Sequence, residues 1–185
     1  MNLILLILQS TYFIIPAYFA NMAPVIAKKI KILKSADKPI DNNKQLNGKP
    51  IFGRNKTYRG FIVAIIAGII LAYVQKAVYV ISFFKWISII DYSNPLLIGF
   101  LLGTGAITGD LIKSFFKRRA NIAPGKKFIP FDQTDFVFGA YIFIYPVYYG
   151  QITLLLIMTS LIASFFLHIL INHISFYLGI RKVKW

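Results

Sequence analysis

Asp110, Asp132 and Asp135 are three of only six acidic residues in a 185-residue chain that carries 21 Lys and Arg. All six acids are Asp. Asp110 closes the strongly apolar run 94–110, and the other two close the basic stretch that follows it. A carboxylate beside a bilayer core costs free energy, so it marks a candidate functional site. Hard oxygen ligands next to a basic loop suit a divalent cation that carries phosphates. Each Asp also has a plainer reading. Asp110 shares a helical face with Lys113, Ser114 and Lys117 at i+3, i+4 and i+7, where an ion pair is worth ~0.2–0.5 kcal/mol. Asp132 and Asp135 open the next apolar stretch, where an acid caps a helix start and suits its dipole. Two acids three residues apart on one helical face, beside a third at a neighbouring helix end, repel unless a cation sits among them. The group therefore reads as a metal site, with capping still open for Asp132 taken singly.

The elements that must position these residues are membrane helices. The chain is 57% hydrophobic with a mean hydropathy of +0.66, well above soluble composition, and its length fits one domain. A spanning helix needs about 20 mostly apolar residues. Five segments qualify, about 3–27, 60–84, 94–112, 136–149 and 153–178, giving an all-α integral membrane protein. The first starts without a basic leader or a cleavage pattern and reads as a retained helix rather than a signal peptide. Pro16 and Pro24 are expected to kink it or end it early. The glycines of the third (Gly99, Gly103, Gly105, Gly109) allow close backbone approach, either by a neighbouring helix or by lipid tails in a cleft.

Charge placement sets the orientation. Loop 28–59 holds ten cations, loop 113–135 holds six, and Arg181, Lys182 and Lys184 follow in the tail, so nineteen of the 21 fall on one side. The positive-inside rule puts both loops and the C-terminus in the cytoplasm and the N-terminus outside. Stretch 28–38, with regular lysines and no glycine, reads as a helix extension lying on lipid. Stretch 39–60 is different: turn formers lead directly into the second span. Gly53 and Gly60 permit close approach, and Lys56, Thr57 and Arg59 stand where a helix start offers free N–H groups to an anion. A point charge, a hydroxyl and a guanidinium fork together hold several oxygens of a polyphosphate.

Several chemistries are excluded or disfavoured. With no Cys there is no disulfide, thiolate catalysis or Cys-ligated zinc. His168 and His173 are five apart, off helical alignment, and read as packing or interfacial residues rather than zinc ligands. The Walker pattern is not matched, because no glycine precedes Lys56.

Ser114-Phe-Phe-Lys117-Arg118, then Pro124-Gly125, then Asp132-Gln-Thr-Asp135 resembles the cytidylyltransferase signature of CDP-diacylglycerol synthases. With Phe52-Gly53-Arg-Asn-Lys56-Thr57-Tyr58-Arg59-Gly60, Pro39-Ile-Asp41 and Asn21-Met-Ala-Pro24, the chain more closely resembles the archaeal branch, the CDP-archaeol synthases, over nearly its whole length. Gln133 stands where the bacterial enzymes carry Arg, and the lysine–aspartate pair after their Lys-Arg element is missing here.

The resemblance implies transfer of CMP from CTP to 2,3-bis-O-(geranylgeranyl)-sn-glycerol 1-phosphate, giving unsaturated CDP-archaeol and pyrophosphate at the cytoplasmic face of the cell membrane. Asp110, Asp132 and Asp135 would hold Mg²⁺ and, with Lys117, form the catalytic set. Lys56, Thr57, Arg59, Ser114, Arg118 and Lys126 would hold substrate and phosphate oxygens. The expected partners are CTP, the isoprenoid ether-lipid phosphate and membrane lipids, with no nucleic acid; the oligomeric state is left open, a homodimer included. Two alternatives use the same features: a CTP-dependent polyprenol kinase, and a non-catalytic membrane protein that binds or transports anionic lipid.

Overall fold

A computed structural model describes residues 2–123 and 125–177. Pro124 of the signature lies outside the described residues, as do Arg181, Lys182 and Lys184 with the expected cytoplasmic tail.

The first expected span is two helices. α1 (Leu3–Phe13) starts on Asn2, whose side chain accepts the Ile4 N–H at 3.0 Å. α2 (Ile15–Ile30) leaves it at 43°. Pro16, in the first turn of α2, supplies the cause: it has no N–H, and its ring excludes a straight helix past the carbonyl four residues back. That carbonyl belongs to Tyr12, and it accepts a 2.6 Å hydrogen bond from the buried amide of Gln75. A polar residue in the middle of an apolar helix thus satisfies the backbone group at the break. Pro24 does not end α2, which runs on to Ile30. Stretch 28–38 extends the helix only to Ile30, because Lys31 and Leu33 adopt left-handed backbone (φ 57° and 45°) and only a short 3-10 turn, Lys34–Ala36, follows.

The first loop carries a small hairpin that composition alone does not reveal. β1 (Gln45–Leu46) pairs antiparallel with β2 (Lys49–Pro50). Asn47 and Gly48 between them have φ of 51° and 71°, the left-handed pair that a two-residue hairpin turn requires. Arg119 clamps it from the second basic loop, donating to the carbonyls of Leu46, Lys49 and Pro50 at 3.0, 3.0 and 2.6 Å.

Thr57 caps α3 (Tyr58–Val78), accepting the Gly60 N–H at 3.2 Å. The expected span 60–84 stops at Val78, and a separate short helix, α4 (Ser82–Ile87), follows. Asn94 and Pro95 open α5 (Pro95–Arg119), which continues past 112 into the second basic loop as far as Arg119. α6 (Phe131–Tyr148) and α7 (Leu154–Tyr177) complete the bundle.

Among the described residues three helices, α3, α5 and α7, are long and apolar enough to cross a membrane, and the bent α1–α2 pair makes a fourth if counted as one span. The expected span 136–149 corresponds to α6 from Phe136 to its end at Tyr148, and α6 falls short of that standard because Asp132, Gln133 and Asp135 occupy its first turns. α5 is the central helix, packed against α2, α3 and α6, while α7 lies against α1 and α6. Outward faces are apolar, as at Ile62, Ile66 and Ile70 on α3, a surface that lipid can cover.

The glycines expected to allow either helix contact or a lipid cleft make helix contacts. A Cβ built on Gly99 would lie 2.6 Å from the Gly68 carbonyl oxygen of α3, and one on Gly105 would lie 2.5 Å from the Gly139 carbonyl oxygen of α6. Neither position has room for it. Backbones touch along both seams, which leaves no cleft there for tails.

Candidate functional site

The second seam carries the charges. Gly109 faces the Asp135 backbone so closely that a Cβ on it would sit 2.9 Å from the Asp135 carbonyl carbon. Asp110, the next residue of α5, is thereby brought beside Asp135, and Asp132 stands one turn earlier on α6. At their focus is the ammonium of Lys113. Its Nζ lies 3.0 Å from Asp110 Oδ1, 3.2 Å from Asp132 Oδ1 and 2.9 Å from Asp135 Oδ2. Sequence spacing pairs Lys113 with Asp110; that it also joins the two α6 acids follows from the helix contact and is not visible in the chain.

Four cations surround three anions. Lys56 reaches across from the first loop to Asp110 Oδ2. Lys117 Nζ lies 3.2 Å from both oxygens of Asp132 and also donates to the Lys126 carbonyl. Arg118 lines the same space, and its buried Nε has no hydrogen-bond partner. The Ser114 hydroxyl donates to the Asp110 carbonyl at 2.8 Å, so it fixes the helix turn beneath the carboxylate. Asp132 is not the N-cap residue, a position that Pro130 takes; it sits in the first turn of α6, where its Oδ2 accepts the Phe128 N–H at 2.7 Å. Lys56, Lys113, Ser114, Lys117, Arg118 and Asp132, with the turn 52–55, line a polar cavity of about 120 Å³.

Asp41 holds that turn in place. Its Oδ2 accepts the N–H groups of Phe52 and Gly53, both at 2.9 Å, and its Oδ1 accepts that of Asn43 at 3.0 Å. Burial raises the carboxyl's pKa, but these three backbone bonds outweigh it and hold the group below the usual carboxylate range. Reading the sequence for chemistry passes over Asp41; an Asx turn after Pro39 is the signal that points to it.

Not every candidate converges. Thr57 Oγ1 is engaged as the α3 cap. Arg59 turns to Asp37, with NH2 to Oδ1 at 2.8 Å, and with Thr57 lines a neighbouring cavity of about 520 Å³. Arg54 and Asn55 form the wall that the two cavities share. The Lys126 side chain is exposed, and only its carbonyl contacts the cluster. Of the expected group, the structure gathers Asp110, Asp132, Asp135, Lys56, Ser114, Lys117 and Arg118.

Beside the cluster lies a further cavity of about 570 Å³. Phe116, Phe128, Phe131, Phe138 and Ile142 give it an apolar wall, while Lys113 and Asp135 form its charged end. Lys113 therefore faces both the polar and the apolar cavity. The carboxylates suit a hard divalent cation in chemistry. The buried Asp135 Oδ1 has no hydrogen-bond partner, so it has capacity for one more ligand. As they stand, no three carboxylates or imidazoles among the described residues are arranged to hold a metal ion; the cation at their focus is Lys113.

The fold and site define a helical membrane protein with a charged cluster set between a polar and an apolar cavity. The comparisons agree with that class. The family described as CarS-like CDP-archaeol synthase matches residues 3–185. The CDP-archaeol synthase of Pyrococcus furiosus is 36% identical over 183 residues, covering 97% of this chain and 98% of that protein. That of Methanococcus maripaludis is 36% identical over 188 residues, covering 100% of both. A solved structure of an intramembrane enzyme for archaeal membrane lipid biosynthesis superposes with a TM-score of 0.72 at 25% identity, covering 90% of this chain and 94% of that one. The chain belongs to the CDP-archaeol synthase family, and is a cytidylyltransferase of archaeal lipid biosynthesis.

Proposed function

We propose that the protein transfers CMP from CTP to 2,3-bis-O-(geranylgeranyl)-sn-glycerol 1-phosphate, forming unsaturated CDP-archaeol and pyrophosphate, and that it depends on Mg²⁺. The observation that carries this reading is the shared wall: Lys113 closes a polar cavity on one side and an apolar one on the other. A triphosphate suits the first and a lipid phosphate the second, so their reacting groups would meet at the aspartates.

Lys56, Lys117 and Arg118 would take oxygens of the triphosphate, with the unpartnered Arg118 Nε offering a free donor. Thr57 and Arg59 face the neighbouring cavity and Lys126 the exposed rim, so these three would meet the nucleotide from its outer end. Asp110, Asp132 and Asp135 would hold the Mg²⁺, which, when bound, supplies charge neutralisation on the phosphates. An oxygen of the lipid phosphate attacks the α-phosphorus of CTP; the bond to the bridging oxygen breaks, and pyrophosphate leaves with that electron pair. The nucleophile is already ionised near neutral pH, so no general base is required. Alignment and charge neutralisation then account for the rate. The basic loops set the orientation, with this site facing the cytoplasm.

Purified protein given CTP labelled in the α-phosphate, Mg²⁺ and the geranylgeranyl-ether glycerol phosphate should place label in lipid and release pyrophosphate. A polyprenol kinase would instead release labelled CDP, and that result would overturn the reading. Asp110→Asn and Asp135→Asn should each lower kcat by about a hundredfold, the scale seen when one preorganised electrostatic group is removed, while the protein still inserts.

A further inference from the structure

We propose that Lys113 is an exchangeable occupant of the aspartate cluster: a divalent cation displaces its ammonium, which then turns into the apolar cavity and binds the phosphate of the lipid substrate. This rests on the functional reading above and assigns a chemical role to a residue that the reading uses only as the wall between two cavities.

Two observations carry the exchange. The first is the position of Nζ. It is 2.9–3.2 Å from one oxygen of each of Asp110, Asp132 and Asp135, the place a cation shared by the three would take. Without a positive charge there, three carboxylates on two touching helices repel. The Lys113 ammonium therefore serves as their counter-ion and would compete with a metal for the same oxygens. The second is what else Lys113 touches. It and Asp135 form the charged end of the apolar cavity, where a lipid phosphate would enter with its tails against Phe116, Phe131 and Phe138. A lysine stem is flexible and can carry its point charge from one cavity to the other without moving the helix. Lys56 and Lys117 cannot substitute on that side, because neither lines the apolar cavity.

The consequence is an ordered site. Metal entry releases a cation toward the lipid, and lipid phosphate, by holding that cation, keeps the carboxylates open for metal. The two ligands should then favour each other by equal factors.

The exchange can be read on wild-type protein without turnover. In nanodiscs lacking CTP and substrate, an amine-acylating reagent followed by peptide mass spectrometry reports the reactivity of each lysine. Mg²⁺ alone should raise acylation of Lys113 by about tenfold, within the usual range for coupled sites, and dialkylglycerol phosphate added with Mg²⁺ should lower it again. No Mg²⁺-dependent change at Lys113 overturns the proposal. The second measurement uses Lys113→Met. With no ammonium to displace, this variant should reach half-maximal thermal stabilisation at about tenfold lower Mg²⁺ than wild type, and its KM for lipid phosphate should rise while that for CTP holds. A lysine with only a structural role would leave the Mg²⁺ midpoint unchanged or raise it, and that result too would overturn the proposal. Failure of CMP transfer in the wild type would sink the functional reading alone, since neither Mg²⁺ measurement uses CTP.

Discussion

α5 meets its neighbours along two glycine seams that use the same device for different ends. Against α3, Gly99 and Gly103 meet Gly68 and the backbone of residues 64–65; against α6, Gly105 and Gly109 meet Gly139 and the Asp135 carbonyl. Both seams replace side chains by backbone contact, which suits helices in lipid, where close packing rather than the hydrophobic effect drives association. The α3 seam itself joins apolar residues, with Ala64, Ile65 and Ile69 against the α5 glycines. The α6 seam ends in Asp110, Lys113, Asp132 and Asp135, so every fraction of an ångström in its spacing is also a spacing between charges. A fold-closing contact and a site-closing contact thus look alike in sequence and differ in what they hold.

The largest effect is expected at Gly109→Ala. The new methyl must push the Asp135 backbone away and so separate Asp135 from Asp110. A displacement near 1 Å at reacting groups costs about a hundredfold in rate. kcat for CMP transfer, measured on folded protein, should fall by that order. If activity survives, the α6 seam does not set the site geometry and the contrast collapses.

Gly99→Ala should damage stability instead. Its Cβ meets the Gly68 carbonyl oxygen at 2.6 Å, backbone that cannot swing aside. Overpacking of this kind costs about 1–3 kcal/mol, which should appear as a lower Tm in detergent. Activity per folded molecule should match wild type. An equal loss of kcat in Gly99→Ala and Gly109→Ala would mean that both seams serve the site.

How much of this was legible beforehand follows the same division. The acids, the cations and the long third helix are local features, and they were readable from type and spacing. So was the strain at Pro16, although not its partner: Gln75 satisfies the Tyr12 carbonyl across 63 residues of chain, and no periodicity encodes such a pairing. Lys113 was readable as a neighbour of Asp110 but not as the shared partner of three acids, because that depends on the α5–α6 contact. Arg59 misled for a related reason. Its place after Lys56 and Thr57 suggests one anion site, yet the start of α3 turns successive residues to different sides, so Lys56 reaches Asp110 while Arg59 reaches Asp37. The hairpin was the simplest omission, since Asn47-Gly48 is itself a strong turn signal.

The smallest expected effect sharpens the comparison furthest, because it lies on the α3 seam with only slight crowding. A Cβ on Gly103 would stand 3.1 Å from the Ala64 carbonyl oxygen and 3.1 Å from Ile65 Cα, tight but within reach of a small shift. Gly103→Ala also gains helix propensity, since Gly is about 0.8–1.0 kcal/mol worse than Ala in a helix interior. The two terms oppose each other at similar size, so Tm should change by only a few degrees and kcat not at all. A sharp loss of activity with an intact Tm would show that α3 transmits strain to the aspartates through α5, and that the first seam also positions the site.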